Sequence, residues 1–298
     1  MKKALLYSIA TFQLMAASLF GHSASTSHAP IEFAGACDRD LEPVLSLQTQ
    51  YLRHRGHTEL DQSINQPHYG SSPHSQLTQG LSLNWSGYAV IPKDDQRVSA
   101  VSGSWTVPDV SSSTRDSICS FFVGIDGYSS PTVEQIGTNQ LWCDGEQINY
   151  AWYEMYPQGL VVIDPNAYPV EAGDKLHASV TLTDCDTFLL SIANQDKDWH
   201  FEVSATSPGA LLTSAEWIVE SPTGAAGFLP LADYHKGHFH HCKVTINGVT
   251  GGITNRSWKH DKLSMVGLKL CTGNIFTKSK PYDLSEGGHK FKMRWKHY

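Results

Sequence analysis

The stretch Lys290-Phe-Lys-Met-Arg-Trp-Lys296 alternates without a break: Phe291, Met293 and Trp295 fall on one side, Lys290, Lys292, Arg294 and Lys296 on the other. A period of two with one apolar and one charged face is the pattern of a β-strand half buried in an antiparallel sheet. Toward the N-terminus, runs of the same kind recur between clusters of Gly, Pro, Asn, Asp and Ser: Trp85–Ile91, Val98–Val107, Ile118–Ile125, Asn149–Tyr156, His177–Leu182, Phe188–Ala193, His200–Val203, Glu216–Val219, His238–Ile246 and Met265–Leu270. No sustained amphipathic helical pattern separates them. The expectation is an all-β domain over 81–298, a two-sheet antiparallel β-sandwich of the jelly-roll, concanavalin-like kind.

Composition sets the limits around that domain. In 298 residues, 40% are hydrophobic and only 17% charged; Lys+Arg 22 against Asp+Glu 29 gives a net charge of −7, which argues against a nucleic-acid partner. Lys2 and Lys3 precede a mostly apolar run from Ala4 to Gly21, followed by the small residues Ser23, Ala24 and Ser25. This reads as a signal peptide over 1–24, so export to an extracellular or periplasmic compartment is expected. No later segment is apolar enough to span a bilayer, and no membrane partner is expected. Residues 25–80 contain no Trp and no Lys, with Pro30, Pro43, Pro67 and Pro73 among many Gln, Ser and His. Such a segment buries little surface and reads as a propeptide or flexible extension. The 6 Cys of an exported chain point to disulfides, though their pairing is not legible. The mature protein is expected to be a monomer.

Familiar catalytic signatures are missing: no Gly-x-Ser-x-Gly, His-Glu-x-x-His, Walker loop, Gly-x-Gly-x-x-Gly or Asp-Thr-Gly occurs. His235-Lys-Gly-His238-Phe-His240-His241 invites a metal reading. On a strand, however, His238 and His240 share one face and His241 takes the other, and no carboxylate pattern completes a ligand set. The expectation is a solvated, His-rich turn and no metal.

The chemistry lies in separated segments: Asn84-Trp-Ser-Gly-Tyr88, Val101-Ser-Gly-Ser-Trp-Thr-Val-Pro108, Phe122-Val-Gly-Ile-Asp-Gly127 with Val133-Glu-Gln-Ile-Gly137, Tyr150-Ala-Trp-Tyr-Glu-Met-Tyr-Pro157, and Ser214-Ala-Glu-Trp-Ile-Val-Glu220. Period-two geometry puts Trp152, Glu154 and Tyr156 on one face, Glu216, Ile218 and Glu220 on another, Phe122, Gly124 and Asp126 on a third, and Val133, Gln135 and Gly137 on a fourth. Carboxyl groups and an amide among aromatics describe a polar cleft in an apolar sheet. Read as residues alone, this admits a jelly-roll glycoside hydrolase using Glu154 and Glu220, with Trp85 and Trp152 as sugar platforms. It also admits a non-catalytic binding sandwich.

In order and wording, these segments resemble the glutamic peptidases (eqolisins), and the Gly-Tyr-Ser-Ser after Asp126 with Val-Glu-Gln-Ile-Gly resembles the bacterial branch. The resemblance implies a secreted acid endopeptidase, insensitive to pepstatin, acting on polypeptide substrates through a Gln/Glu dyad without cofactor or metal. It places the dyad on Gln135 and Glu220, with Trp85, Phe122, Asp126, Glu154 and Tyr156 around it as supporting or substrate-binding residues. Glu220 would serve as general base and acid on water, and Gln135 as oxyanion stabiliser. Two departures stand out: Phe122 replaces a Trp frequent in fungal members, and Asn139 and Tyr150 replace acidic neighbours. An optimum of about pH 3–5 is expected from a glutamate near its ordinary pKa of ~4.3.

Overall fold

The computed structural model describes residues 80–110, 116–143, 145–224, 227–269 and 274–296. The proposed signal peptide and propeptide lie outside the described residues.

The strands are β1 (Trp85–Ile91), β2 (Val98–Thr106), β3 (Ser117–Ile125), β4 (Val133–Cys143), β5 (Glu146–Tyr156), β6 (Lys175–Asp184), β7 (Thr187–Asn194), β8 (Trp199–Thr206), β9 (Ala215–Glu220), β10 (Lys236–Ile246), β11 (Lys259–Leu268), β12 (Ile275–Pro281) and β13 (Phe291–Trp295). Among the described residues there is no α-helix, only a 3₁₀ turn at Glu286–Gly288. No helix among them is long and apolar enough to cross a membrane.

Hydrogen bonding follows one continuous path, β8-β7-β6-β2-β10-β13-β12-β11-β1-β9-β3-β4-β5. The path bends at β11. Its first half, Lys259–Leu263, pairs antiparallel with β1, and its second half, Met265–Leu268, pairs with β12. One strand thereby serves two layers, the arrangement of a sandwich whose corner is a shared strand. The core between the layers draws Phe121, Val123, Ile136, Trp217 and Val219 from one sheet and Trp105, Leu176, Val180, Phe239 and Phe291 from the other. The expected all-β sandwich is thus found.

A second, smaller apolar cluster lies on the opposite face of the β11-β1-β9-β3-β4-β5 sheet. It comprises Trp85, Ala89, Phe122, Val133, Tyr150, Trp152, Ile218 and Leu263. This sheet is therefore apolar on both faces. That explains why β4 does not show in the alternation: Val133–Cys143 is buried along nearly its whole length, and polar Glu134, Gln135, Thr138, Asn139 and Gln140 are buried with it. β12 also escapes the sequence reading.

Cys119, Cys185 and Cys242 are free thiols, so the disulfides expected from an exported chain are not formed at these positions.

Gly87 shows how tightly β1 and β9 approach. At φ +152° it faces Ile218 and Leu263 across the neighbouring strands, and a Cβ there would lie 2.0 Å from the Trp217 carbonyl oxygen. Gly87→Ala is therefore expected to destabilise the domain by about 2–4 kcal/mol, through overpacking and forced separation of the strands. Urea unfolding of the variant beside the parent measures it; an unchanged midpoint would contradict the close approach.

Candidate active site

Strand register places the polar residues of the small cluster in lateral rows. The first runs Glu154, Gln135, Gly124, Glu216, Ala89, Asp261 across β5, β4, β3, β9, β1 and β11. The second runs Trp152, Gly137, Phe122, Ile218. The third runs Tyr150, Asn139, Ser120, Glu220, Trp85. Directly opposed residues share a face, so all three rows project from the same side of the sheet. Gln135 and Glu220 face each other diagonally across the second row. Its aromatics form the wall: Phe122 meets Trp85 edge-on at 5.6 Å between ring centroids and Trp152 at 5.9 Å.

Gln135 Nε2 donates to Glu154 Oε2 at 2.7 Å. Its Oε1 is buried and has no hydrogen-bond partner, and the indole N–H of Trp152 on the same face is likewise buried without one. These are an acceptor and a donor left over inside an apolar cleft, where an unmade hydrogen bond costs about 1–3 kcal/mol. Such groups fit a bound water or a substrate amide.

Glu220 closes β9. Asn84 Nδ2 donates to its Oε1 at 3.0 Å, and Asn84 is itself held by the Ser82 hydroxyl at 3.1 Å. Burial, followed by the neighbouring charge of Glu154, pushes the Glu220 carboxyl up to about 8 against the hydrogen bonds from Asn84 and Trp85. Burial raises Glu154 to about 7, opposed by the Gln135 amide. Tyr156 is partly buried near Glu154, and its hydroxyl is raised by burial and then by that carboxylate.

Asp126 has a different task. Its backbone is left-handed, with φ 67°. Its carboxylate accepts from the backbone N–H of Leu211 at 2.7 Å, Leu212 at 2.6 Å and Thr213 at 2.8 Å, and from the Thr213 hydroxyl at 2.9 Å. All these donors belong to the loop that leads into β9. Asp126 thus anchors the strand that carries Glu216 and Glu220. The replacements Asn139 and Tyr150 form a neutral chain beside Glu220: Ser120 donates to Asn139, whose Nδ2 donates to Tyr150 Oη at 2.9 Å.

Asn84 and Glu134 were not singled out from the sequence, whereas Glu216 was placed on the face of Glu220 and lies there. Asn84 was visible only as the first letter of Asn-Trp. Glu216 is fully buried, and Ser214 lies near it without making a well-formed bond. Glu134 turns to the opposite face, where Oε1 accepts from the Ser207 hydroxyl at 2.6 Å. Burial raises Glu134 to about 8, with the charge of Asp126 adding to the rise, and lifts Glu216 well above the carboxylate range, with the charges of Asp126 and Glu134 adding. The His-rich segment lies far along the path in the other sheet, and among the described residues no group of His, Cys, Asp or Glu is arranged to hold a metal. One detail of its sequence reading is corrected. A bulge between His240 and Lys243, with His241 at φ 51°, breaks the alternation, and His241 Nδ1 lies 3.3 Å from Ser104 Oγ on the outer face.

A model of the peptidase A4 family matches residues 83–278. Aspergillopepsin-2 of Aspergillus niger is 27% identical over 194 residues, spanning 57% of this chain and 67% of that protein. Among solved structures, scytalido-glutamic peptidase with a transition-state analog inhibitor superposes with a TM-score of 0.57 at 23% identity, covering 72% of this chain and 98% of that one. Aspergilloglutamic peptidase from Aspergillus niger gives 0.50 at 22% identity, covering 60% and 99%. These structural likenesses bear on the fold.

The buried carboxyls Glu134 and Glu216 give the fold a pH dependence of definite sign. In the unfolded chain each returns to about 4.3. Below that value both states are protonated and stability is complete; as pH rises toward and through about 8, unfolding releases protons that the folded state retains, and stability falls. The melting temperature should therefore be highest in acid and decline toward neutrality. Glu216→Gln, which removes the ionisation, should flatten that decline. Thermal unfolding across the range reads both, and a parent whose melting temperature climbs from acid to neutral would contradict the assignment.

Proposed function

The chain belongs to the peptidase A4 family, and from that premise we propose that it is an exported acid endopeptidase working through Gln135 and Glu220. The supporting observation is the Gln135 amide. Glu154 fixes it through one N–H, leaving Oε1 without a partner and a second N–H to give, on the face that carries Glu220.

Peptide hydrolysis needs an activated water, a stabilised oxyanion and a protonated leaving amine. Glu220 as carboxylate takes a proton from the water as its oxygen bonds to the carbonyl carbon. The same proton then passes to the amide nitrogen as the C–N bond breaks. Gln135 accepts a hydrogen bond from the water at Oε1 and donates N–H to the developing oxyanion. A neutral amide takes no proton, so the two roles do not exchange. Asn84 holds one oxygen of Glu220, and Trp85, Phe122 and Trp152 exclude bulk water. No step calls for a metal or cofactor. Family membership leaves the glycosidase and binding-module readings without support.

The N-terminal organisation belongs to the same proposal: a signal peptide over 1–24, a propeptide over 25–80 and a monomeric catalytic domain over 81–298. N-terminal sequencing of active enzyme should give a start near residue 80. Full activity with a start near residue 25 would exclude an inhibitory propeptide.

Glu220→Gln should lower kcat by about 10²–10⁴, the usual worth of a general base. Gln135→Ala should lower it by about 10²–10³, the cost of one oxyanion donor. Both variants should remain folded, with Glu220→Gln melting like the parent in acid, where Glu220 is protonated, and Glu216→Gln should remain active. Near-parental turnover in either dyad variant would overturn the assignment.

The pH profile follows from the raised carboxyls. The active form of the Glu154/Glu220 pair carries one proton, and both groups release theirs nearer neutrality than a solvated glutamate. The acid limb of kcat/KM should therefore lie well above ~4.3, moving the optimum above the pH 3–5 expected from sequence. Glu154→Gln keeps an acceptor for Gln135 but removes the charge that raises Glu220, so the acid limb should move to lower pH. A limb at the same pH in parent and variant would refute the coupling.

A further inference from the structure

Away from the cleft, the outer face of the other sheet carries a ladder of cations. Lys280 on β12 stands directly opposite Arg294 on β13, and Arg294 directly opposite Lys236 on β10; one step along, Lys292 stands opposite His238. Side chains so paired lie about 4.5–5.5 Å apart at Cβ, and like charges in that position are destabilising. Among the described residues, none of Lys236, Lys280, Lys292 and Arg294 is in an ion pair. Packing requires only that these positions face outward, because Gly237, Phe239 and Met293 between them turn to the core. It does not require charge, least of all like charge in register within a chain of net −7. Beside the ladder runs a groove of ≈ 700 Å³, with Lys236, His238 and His240 along one side and Thr106–Asp109 with Gly173 along the other.

We infer that this face is a docking surface for an acidic polysaccharide whose charge resides in sulfate or phosphodiester groups. Unpaired cations in rows call for a repeating anion. The groove suits one extended chain better than a planar bilayer. The outward positions of β2 beside it are Thr106, Ser104 and Ser102, which offer hydroxyls to the sugar units of such a chain. Strong-acid groups keep their charge in the acid range, whereas carboxylates with pKa near ~4 lose theirs.

The imidazoles add a pH dependence. His238 is lowered by burial, then by Lys292, Lys290 and Lys236. His240 is lowered by burial, then by Lys290, His238 and His241, with Glu286 opposing. His177, which meets Ser104 Oγ at 2.9 Å, is lowered by burial, His241 and Lys243. The acidic groups nearby are Glu286, paired with Lys290 at 3.1 Å; Asp196, paired with Lys175 at 3.4 Å; Asp233, 3.2 Å from the His235 imidazole beside Lys236; and Asp109 on the groove rim. These histidines are therefore neutral near pH 7 and add charge to the ladder only in acid, so that binding tightens as pH falls.

The test measures binding of the purified full chain to fluorescent heparin, a sulfated polysaccharide, at about pH 4.5 and about pH 7.5 over a salt series. Binding should be tighter in acid and weaken steeply with salt. The triple variant Lys236→Ala, Lys292→Ala, Arg294→Ala should bind about tenfold or more weakly and show a shallower salt slope. Because the whole protein becomes cationic in acid, a control variant with Lys93→Ala, Lys197→Ala and Lys259→Ala, off the ladder, should bind like the parent. His238→Ala with His240→Ala should reduce the gain on acidification. All variants should cleave a short peptide like the parent, and the ladder variant should melt no lower than the parent, since it removes like charges in register. Equal binding by the ladder and control variants would overturn the inference, as would tighter binding to anionic phospholipid vesicles or to single-stranded RNA than to heparin.

Discussion

Glu134, Glu154, Glu216 and Glu220 are built into one sheet, and among the described residues none of them has a cation in an ion pair. This constraint governs much else. An ionised carboxylate out of water and without a counter-charge is so costly that the group takes up a proton instead. The fold therefore fits an acid medium, where Glu134 and Glu216 are neutral acids that a sheet apolar on both faces can hold. In the proposed mechanism the same raised proton affinity lets Glu154 and Glu220 share a proton closer to neutrality than a solvated glutamate does. Asp126 shows the alternative. It accepts four hydrogen bonds from a single loop, and that loop fixes the start of the strand on which Glu216 and Glu220 lie.

The charges of the two sheets are separated. Buried acids line one sheet, and exposed bases are gathered on the outward face of the other, although the chain as a whole is acidic. None of the four buried glutamates is in an ion pair among the described residues, so no counter-charge holds the Glu220 carboxyl down in the ordinary range. Separation also leaves the bases in register with one another rather than paired with acids.

Much of the fold was legible because most strands bury one face. Phe291, Met293 and Trp295 alternate with lysine and arginine, and the structure has that strand at Phe291–Trp295. β4 was not legible because alternation is lost where both faces are buried: Val133–Cys143 mixes Gln, Thr and Asn with aliphatics on either side. The candidate site was legible as motifs, with Gln135, Glu154 and Glu220 emerging on a common face. Asn84 was not, because a hydrogen bond across 136 positions of sequence leaves no local pattern. His241 was misplaced for the same reason, since a bulge shifts the alternation without announcing itself in residue type.

The departures at positions 139 and 150 acquire a meaning in the register. Tyr150, Asn139 and Ser120 share the row of Glu220, so acidic residues at 139 and 150 would put further negative charge into that row. Here Tyr150, Asn139 and Ser120 are neutral and internally hydrogen bonded, and the carboxylate whose charge raises Glu220 is Glu154. A base perturbed by one acidic neighbour titrates as a member of a pair rather than of a cluster. The second carboxyl of that pair also orients the Gln135 amide, so a single side chain, Glu154, links the proton affinity of the proposed base to the position of the proposed oxyanion donor. Coupling of this kind needs no movement of the sheet, only the direct cross-strand pairing of Gln135 with Glu154 that the β4–β5 register imposes.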